Sequence, residues 1–114
     1  SETARQPKAT ESDVDAFLDY FAEDFTDHHV AYGVSLEGKQ PLKDGIMSYA
    51  KRMVSLSETV EDVMLGSHTA VISVLEDSKY YKNDQLKHFK GRNLLVLEFD
   101  EQGKISSLRR YLDH

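Results

Sequence analysis

The feature that most constrains the fold is a change in the spacing of apolar residues near Glu58. Before this point apolar side chains recur every three or four residues, as on one face of a helix, and after it they alternate as on a strand. Helices followed by a run of strands are typical of α+β domains. We therefore expect a curved antiparallel sheet of about four to six strands, wrapped around about two or three N-terminal helices and enclosing a cone-shaped pocket.

The N-terminal half predicts two helices with a strand between them. Residues 1–11 are polar and predict a tail or a short first helix. Ser12 is a suitable N-cap for a helix whose apolar stripe is Val14, Phe17, Leu18, Phe21, Ala22 and Phe25. Residues 26–36 alternate as a strand, and Gly38 ends it. Pro41 suits the first turn of a second helix, whose stripe is Leu42, Ile46, Tyr49, Ala50 and Met53.

The C-terminal half predicts a meander of strands. The alternating segments are 59–65, 69–76, 86–100 and 104–113. Residues 77–84 predict a polar loop, and Asp100–Gly103 predicts a hairpin turn. Gly91 lies inside the long strand and predicts a bulge or a sharp bend.

Length, charge and cysteine content exclude several classes of protein. The chain has 114 residues, so we expect one domain over residues 12–114. It has no cysteine, which excludes disulfides and thiol catalysis and is consistent with the cytoplasm, where we expect it. The net charge of −6 disfavours nucleic acid as a partner. No apolar run is long enough to span a membrane, and the first ten residues do not read as a signal peptide.

Several short strings, in this order, resemble one family. They are Phe21-Ala-Glu-Asp24, Asp27-His-His29, Gly38 before the second helix, the closing hairpin Phe99-Asp-Glu-Gln-Gly-Lys-Ile105, and Arg110-Tyr-Leu-Asp113. Together they resemble the SnoaL-like group of the nuclear transport factor 2-like superfamily, over about residues 12–114. The resemblance implies a cystatin-like α+β roll with a ligand pocket. Because this fold hosts isomerases, cyclases, dehydratases, epoxide hydrolases and binding proteins, it does not by itself imply one activity.

Two better-known activities of this fold are disfavoured by the sequence. Leu95 stands where the resemblance places the aspartic acid of the ketosteroid isomerases, so their oxyanion hole is incomplete. Leu94 stands where an acid would have to follow Arg92 in an epoxide-hydrolase-like triad. Steroid isomerisation and limonene-epoxide-hydrolase-like chemistry are therefore not expected.

The adjacent residues His28 and His29 are the first candidates for catalysis. Neighbouring side chains in a strand point to opposite faces, so only one of the two can enter the pocket. Parity groups His28 with the more apolar set, whereas the resemblance places His29 at the pocket; we favour His29 as the general base. The resemblance also implies that Asp113 is a pocket acid, although Arg110 occupies the position where other members hold it. Both histidines filling the sheet, and Asp113 lying in solvent, are the alternatives.

Five further side chains are candidates for the pocket wall. They are Tyr32, Tyr49, His88, Arg92 and Tyr111. Packing for the tyrosines, and a solvated sheet face for His88 and Arg92, are the alternative roles. Adjacent histidines do not have the spacing of zinc ligands, and no cofactor motif is present, so we expect neither a metal nor a cofactor.

These observations lead to two hypotheses for the function. The first is a cofactor-free isomerase, cyclase, lyase or hydrolase that acts on a small apolar carbonyl compound by general acid/base catalysis. The second is a non-catalytic module that binds a small ligand or dimerises. Residues 94–99 are apolar on both faces and need cover on both, so we also expect a homodimer formed through the sheet.

Overall fold

The computed structural model describes residues 10–113, so most of the predicted N-terminal tail lies outside the described residues. Within them are two α-helices, α1 (Glu11–Leu18) and α2 (Lys39–Arg52), and six strands. The strands are β1 (Phe21–His29), β2 (Val34–Glu37), β3 (Met53–Leu65), β4 (Thr69–Lys82), β5 (Gln85–Phe99) and β6 (Ile105–Asp113). The predicted α+β class is confirmed.

Helix α1 is shorter than predicted and begins at a different cap. The backbone N–H of Asp13 donates to Thr10 Oγ1 over 3.2 Å, and the Thr10 N–H donates to Asp13 Oδ2 over 3.1 Å. This capping box makes Thr10 the N-cap, not Ser12, and the hydrogen bond from the Thr10 backbone holds the pKa of Asp13 below its ordinary value. The helix ends at Leu18, so its predicted extension to Phe25 is wrong.

Residues 21–29 form a strand, although the spacing of their phenylalanines fits a helix as well as a strand. Phe21 and Phe25 are four residues apart, which places them on one face of a helix and also on one face of a strand. In β1 both are buried, and their rings meet edge to face with centroids 4.8 Å apart. Tertiary burial therefore decides between two conformations that the apolar pattern allows.

The predicted strand at 26–36 is in fact two strands joined by a tight turn. Val30–Tyr32 form a 3-10 turn, and Gly33 follows with φ of 64°, a left-handed conformation that glycine adopts without strain. Strand β2 then runs back antiparallel to β1, with Ser35 opposite His28. Pro41 lies in the first turn of α2, as predicted.

The sheet order is β2-β1-β6-β5-β4-β3. The pairs are antiparallel except β1 with β6, which is parallel and sets His29 beside Arg110. The predicted loop at 77–84 is mostly strand: β4 continues to Lys82, and Asn83 and Asp84 form a two-residue hairpin turn with positive φ of 52° and 63°. The turn after β5 at Asp100–Gly103 is as predicted.

The ladder between β4 and β5 is regular through Gly91, which lies opposite Glu76. The bulge predicted at this glycine is therefore wrong. A Cβ atom at Gly91 would lie 2.9 Å from Cζ of Phe89, whose ring extends along the strand over the glycine. Gly91 is needed for this close approach.

The apolar core occupies one end of the space between the helices and the concave face of the sheet. Its buried members are Val14, Leu18, Phe21, Phe25, Leu42 and Leu108. Leu95 and Leu97 of β5 contact this cluster from the sheet. The other end of the same space is open, and it holds the candidate site.

Candidate functional site

A cavity of about 520 Å³ lies between α2 and the concave face of the sheet. This volume is in the usual range for small-molecule sites. Part of the sheet wall is apolar and consists of Val74, Leu95 and Leu112. Helix α2 contributes Leu42 and Ile46 from the opposite side. Polar side chains reach this cavity in two separate groups.

The first group is centred on Asp27, which is only 2% exposed. The guanidinium of Arg110 binds it with two nitrogens: Nε lies 3.3 Å from Oδ1, and Nη2 lies 3.3 Å from Oδ2. Nε2 of His29 lies 3.2 Å from Oδ2. We call Asp27, His29 and Arg110 the aspartate cluster. All three line the cavity.

The aspartate cluster fixes the tautomer of His29. An ionised carboxylate can only accept hydrogen bonds, so Nε2 of His29 must carry the proton it donates to Asp27. In the neutral imidazole the other nitrogen, Nδ1, is then the proton acceptor. A histidine oriented by a buried carboxylate in this way is suited to act as a general base.

The second group is centred on Glu76, which is 5% exposed. Its Oε2 accepts hydrogen bonds from the hydroxyls of Ser78 over 2.9 Å and Tyr49 over 3.3 Å. Its Oε1 accepts from Nδ2 of Asn93 over 3.2 Å. We call Glu76, Tyr49, Ser78 and Asn93 the glutamate cluster; of these, Ser78 does not line the cavity.

The structure separates the two candidate histidines by strand parity. His29 shares the cavity face of β1 with Asp27. His28 faces away, where its Nδ1 lies 2.8 Å from Oγ of Ser35 on β2. The structure thus places the favoured histidine at the cavity, although its catalytic role stays a prediction.

The other predicted residues divide between the cavity and the outer face of the sheet. Tyr32 and Tyr49 line the cavity. Three others do not line it: His88, Arg92 and Tyr111. In β5 the cavity face carries Phe89, Asn93 and Leu95, so the residues between them, including His88 and Arg92, point outward. Tyr111 lies opposite Leu94, which also points outward. The placement of these three in the pocket wall is therefore wrong.

His88 and Arg92 instead contact acidic side chains on the outer face. Nε2 of His88 lies 2.6 Å from Oδ1 of Asp77, and Nε of Arg92 lies 2.6 Å from Oε1 of Glu61. The hydrogen bond from each base holds the pKa of its carboxyl partner below the ordinary value. Asp113 lies in β6 with its backbone opposite Arg92, and its side chain lies outside the described part of the chain.

Five residues of the two clusters were not selected from the sequence: Asp27, Glu76, Ser78, Asn93 and Arg110. Asp27 lies two residues before His29, so even spacing in a strand could have grouped the two. Glu76 gives a weaker signal, a single acid between Leu75 and Asp77. Arg110 is 83 residues from Asp27, and no local pattern predicts that the two side chains meet.

Residues 10–113 lack two features that would point to other functions. No group of three histidine or acidic side chains there is arranged to hold a metal ion. No described helix is long and apolar enough to cross a membrane.

Comparisons with solved structures identify the fold. Matching structures include a predicted SnoaL-like polyketide cyclase from Shewanella denitrificans OS-217, with a TM-score of 0.78 and 12% identity, covering 91% of this chain and 81% of the other. An NTF2-like protein of unknown function from Exiguobacterium sp. 255-15 matches with a TM-score of 0.75 and 15% identity over 91% and 86% of the two chains. An LEH-like epoxide hydrolase from M. tuberculosis matches with a TM-score of 0.71 and 14% identity over 90% and 71%.

The chain is thus an α+β cone protein with one open end. Its fold is that of the SnoaL-like and NTF2-like structures, as the resemblance of its sequence motifs implied. No protein-family model matches the sequence, and no curated protein matches it as a relative. At these identities the likeness concerns the fold, so any activity has to be argued from the cavity.

Proposed function

We propose that the cavity binds a small, mainly apolar molecule with a carbonyl group, and that His29 moves a proton on it without a cofactor. This is the chemistry of a SnoaL-like isomerase, cyclase, lyase or hydrolase. The observation that carries the proposal is the contact between Nε2 of His29 and the buried Asp27 carboxylate, which Arg110 holds in place. Fold neighbours described as a cyclase and as an epoxide hydrolase support an enzyme of this general kind.

The proposed step is proton abstraction next to the carbonyl. Nδ1 of His29 takes a proton from the α-carbon, the electron pair of the broken C–H bond forms a carbon–carbon double bond, and the π pair of the carbonyl moves to its oxygen to give an enolate. The resulting imidazolium is stabilised by Asp27, 3.2 Å from Nε2. Returning the proton to the same or another carbon completes an exchange or an isomerisation. Tyr32, which lines the cavity, remains a proposed hydrogen-bond donor; Asp113 pairs across the sheet with the outward-facing Arg92, so no part in this step is proposed for it.

The test is hydrogen–deuterium exchange at the α-carbon of 1-indanone, a small apolar ketone, followed by NMR in D2O. We expect the protein to accelerate exchange and His29→Gln to lose about 100-fold or more of that acceleration. The matched control is His28→Gln, which removes the neighbouring imidazole from the opposite face and should change the rate less than twofold. Equal exchange rates in the His29→Gln variant and the unaltered protein would refute the role of His29.

The alternative function is binding without catalysis. The observation that favours it is that Asp27 is already held by two partners, an arrangement that also serves simply to stabilise the cavity wall. A ligand that shifts the NMR signals of His29 but undergoes no exchange at any pH from 5 to 9 would support this alternative.

We also propose a homodimer formed through the outer face of the sheet. Leu94 and Val96 point away from the core there, and Val96 lies opposite Val71 of β4 and so extends the apolar surface. A second copy would give these residues the cover that a strand apolar on both faces needs. Sedimentation at micromolar concentration should give twice the monomer mass, and Leu94→Lys should give the monomer.

We also propose that the protein is located in the cytoplasm, which remains a prediction from the sequence.

A further inference from the structure

The glutamate cluster lies outside the proton-transfer step proposed above, yet it occupies the same cavity. Tyr49, Glu76 and Asn93 all line this space. Removing an acidic side chain from water is costly, so a buried carboxylate in a ligand cavity has to be stabilised by hydrogen bonds. Three neutral donors bind the carboxylate, and in return they are held in fixed orientations.

The effect of this network on Asn93 is specific. Its Nδ2 donates to Oε1 of Glu76, so the amide cannot rotate by half a turn without placing its oxygen against the carboxylate. The amide has one more N–H donor and an oxygen acceptor, and the side chain lines the cavity. Glu76 thus positions one donor and one acceptor of known orientation.

The aspartate and glutamate clusters are separated by an apolar stretch of wall. Asn93 lies beside Val74 on β4 and Leu112 on β6, and Leu95 follows on the same face of β5. Leu95 in turn lies beside Arg110, the neighbour of His29. Strand spacing and rise give roughly 12 Å between the Cα positions of His29 and Asn93 across two strand intervals. Since side chains project inward, a compact bicyclic molecule fits between their ends.

We propose that Asn93 is a second polar anchor, and that the cavity selects neutral molecules with two oxygen functions at opposite ends of an apolar body. One is the carbonyl at His29, and the other is a hydroxyl that hydrogen-bonds to the Asn93 amide. This inference rests on the proposed function and adds the class of substrate. Glu76 is a positioning residue in this arrangement.

The hydrogen-bond acceptors around Asn93 disfavour an anionic group at this end. Glu76 lies 3.2 Å from the amide nitrogen, and Glu58 lies opposite Glu76 on β3 and also lines the cavity. A ligand carboxylate bound to Asn93 would lie close to the oxygens of Glu76, which accept hydrogen bonds and cannot donate one to an anion. Arg52 lines the cavity as well, so an acidic ligand is a stringent test of which charge dominates.

The experiment compares three matched ketones by isothermal titration calorimetry: 1-indanone, 5-hydroxy-1-indanone and 1-oxoindane-5-carboxylic acid. We expect the hydroxy ketone to bind about tenfold more tightly than 1-indanone, the usual gain from one well-placed buried hydrogen bond. The acid should bind more weakly than either neutral ketone. Binding is measured without any turnover, so the readout is independent of catalysis.

Two variants test the anchor itself. Asn93→Leu should remove the preference for the hydroxy ketone while leaving the affinity for 1-indanone within about threefold. Glu76→Gln should reduce the same preference by disturbing the orientation of Asn93. The matched control is Gln102→Leu, which removes an exposed amide in the turn between β5 and β6 and should leave the preference intact.

The outcomes separate the two proposals. Equal affinity for the two neutral ketones, or a preference for the acid, would overturn the second anchor and leave the role of His29 intact. A preference for the hydroxy ketone that survives in Asn93→Leu would also overturn it. If none of the three ketones binds, both the anchor and the proposed function are wrong.

Discussion

Two carboxylates are buried in the cavity wall, and the side chains described around each of them differ in charge. Asp27 is held by the guanidinium of Arg110, which is positively charged, and by the imidazole of His29, which becomes positively charged when it takes up a proton. The hydrogen-bond partners described for Glu76 are two hydroxyls and an amide. A charged partner supports proton transfer, because it compensates charge as the imidazolium forms. Neutral donors support recognition, because they fix the orientation of groups without adding charge.

The same helix serves both regions. Helix α2 contributes Leu42 to the apolar core and Tyr49 to the glutamate cluster, two turns further along. Because β6 pairs in parallel with β1, Arg110 lies beside His29, and the aspartate cluster forms close to the core. The glutamate cluster lies on the far strands of the sheet. We therefore expect substitutions in the two clusters to change the free energy of unfolding by different amounts.

The largest expected effect is that of Arg110→Met, which leaves Asp27 buried without its strongest cationic partner. We expect a loss of about 3 kcal/mol in the free energy of unfolding, measured by urea denaturation. The control is Lys51→Met at an exposed position of α2, with an expected loss below about 0.5 kcal/mol. The double variant Asp27→Leu with Arg110→Met should recover part of the loss, and an unstable double variant would contradict this account.

A smaller effect is expected in the glutamate cluster from Glu76→Gln. The substitution keeps the size of the side chain but places an amide NH2 group where a carboxylate oxygen accepted, so one of the three donors has to reorient or lose its acceptor. We expect a loss of about 1–2 kcal/mol in the free energy of unfolding by the same measurement. Glu98→Gln, at an exposed position of β5, is the matched control. A loss as large as that of Arg110→Met would erase the distinction between the clusters.

The smallest effect is expected at the exposed pair of Glu61 and Arg92 on the outer face. The hydrogen bond from Arg92 lowers the pKa of Glu61 in the folded chain. Because the folded pKa lies below the unfolded one, the pair stabilises the fold above the ordinary pKa of glutamate. Its contribution is lost as the pH falls through the lowered value.

We therefore expect Glu61→Gln to lower the melting temperature slightly at pH 7 and to have no effect once the pH falls below the lowered pKa of Glu61, where the group is protonated in both states. Added salt should reduce the difference at pH 7. Thermal unfolding followed by circular dichroism measures both dependences. A difference that persists unchanged at low pH would show that Glu61 acts through packing and not through its charge.

The parts of the fold that could be predicted from the sequence are those where one local pattern has one solution. Pro41 after Gly38 marks the start of α2, and the turn at Asp100–Gly103 joins two alternating segments. The prediction failed where one local pattern is compatible with two backbone conformations. The four-residue spacing of Phe21 and Phe25 fits a helix or a strand, and the alternation from Val30 to Leu36 hides a 3-10 turn with Gly33 at its end.

The candidate site follows the same division. Strand parity requires that only one of His28 and His29 reach the cavity, which the sequence predicts with no knowledge of the fold. Parity also determines that His88 and Arg92 share a face, but it does not say which face. That choice depends on the side of β5 against which α2 and the core are packed, and there Leu95 and Leu97 take the inner positions.

The sequence by itself determined the α+β class, the second helix and most of the strands. It also determined that His28 and His29 lie on opposite faces of their strand. Only the tertiary structure decided which charges meet, because the contacts join strands distant in the chain: Asp27 to Arg110 across 83 residues and Tyr49 to Glu76 across 27. The physical reason is that local patterns record which side of an element is buried. The partner of a buried charge depends on how the elements are arranged in the sheet, and here the parallel pairing of the first and last strands brings Arg110 to Asp27.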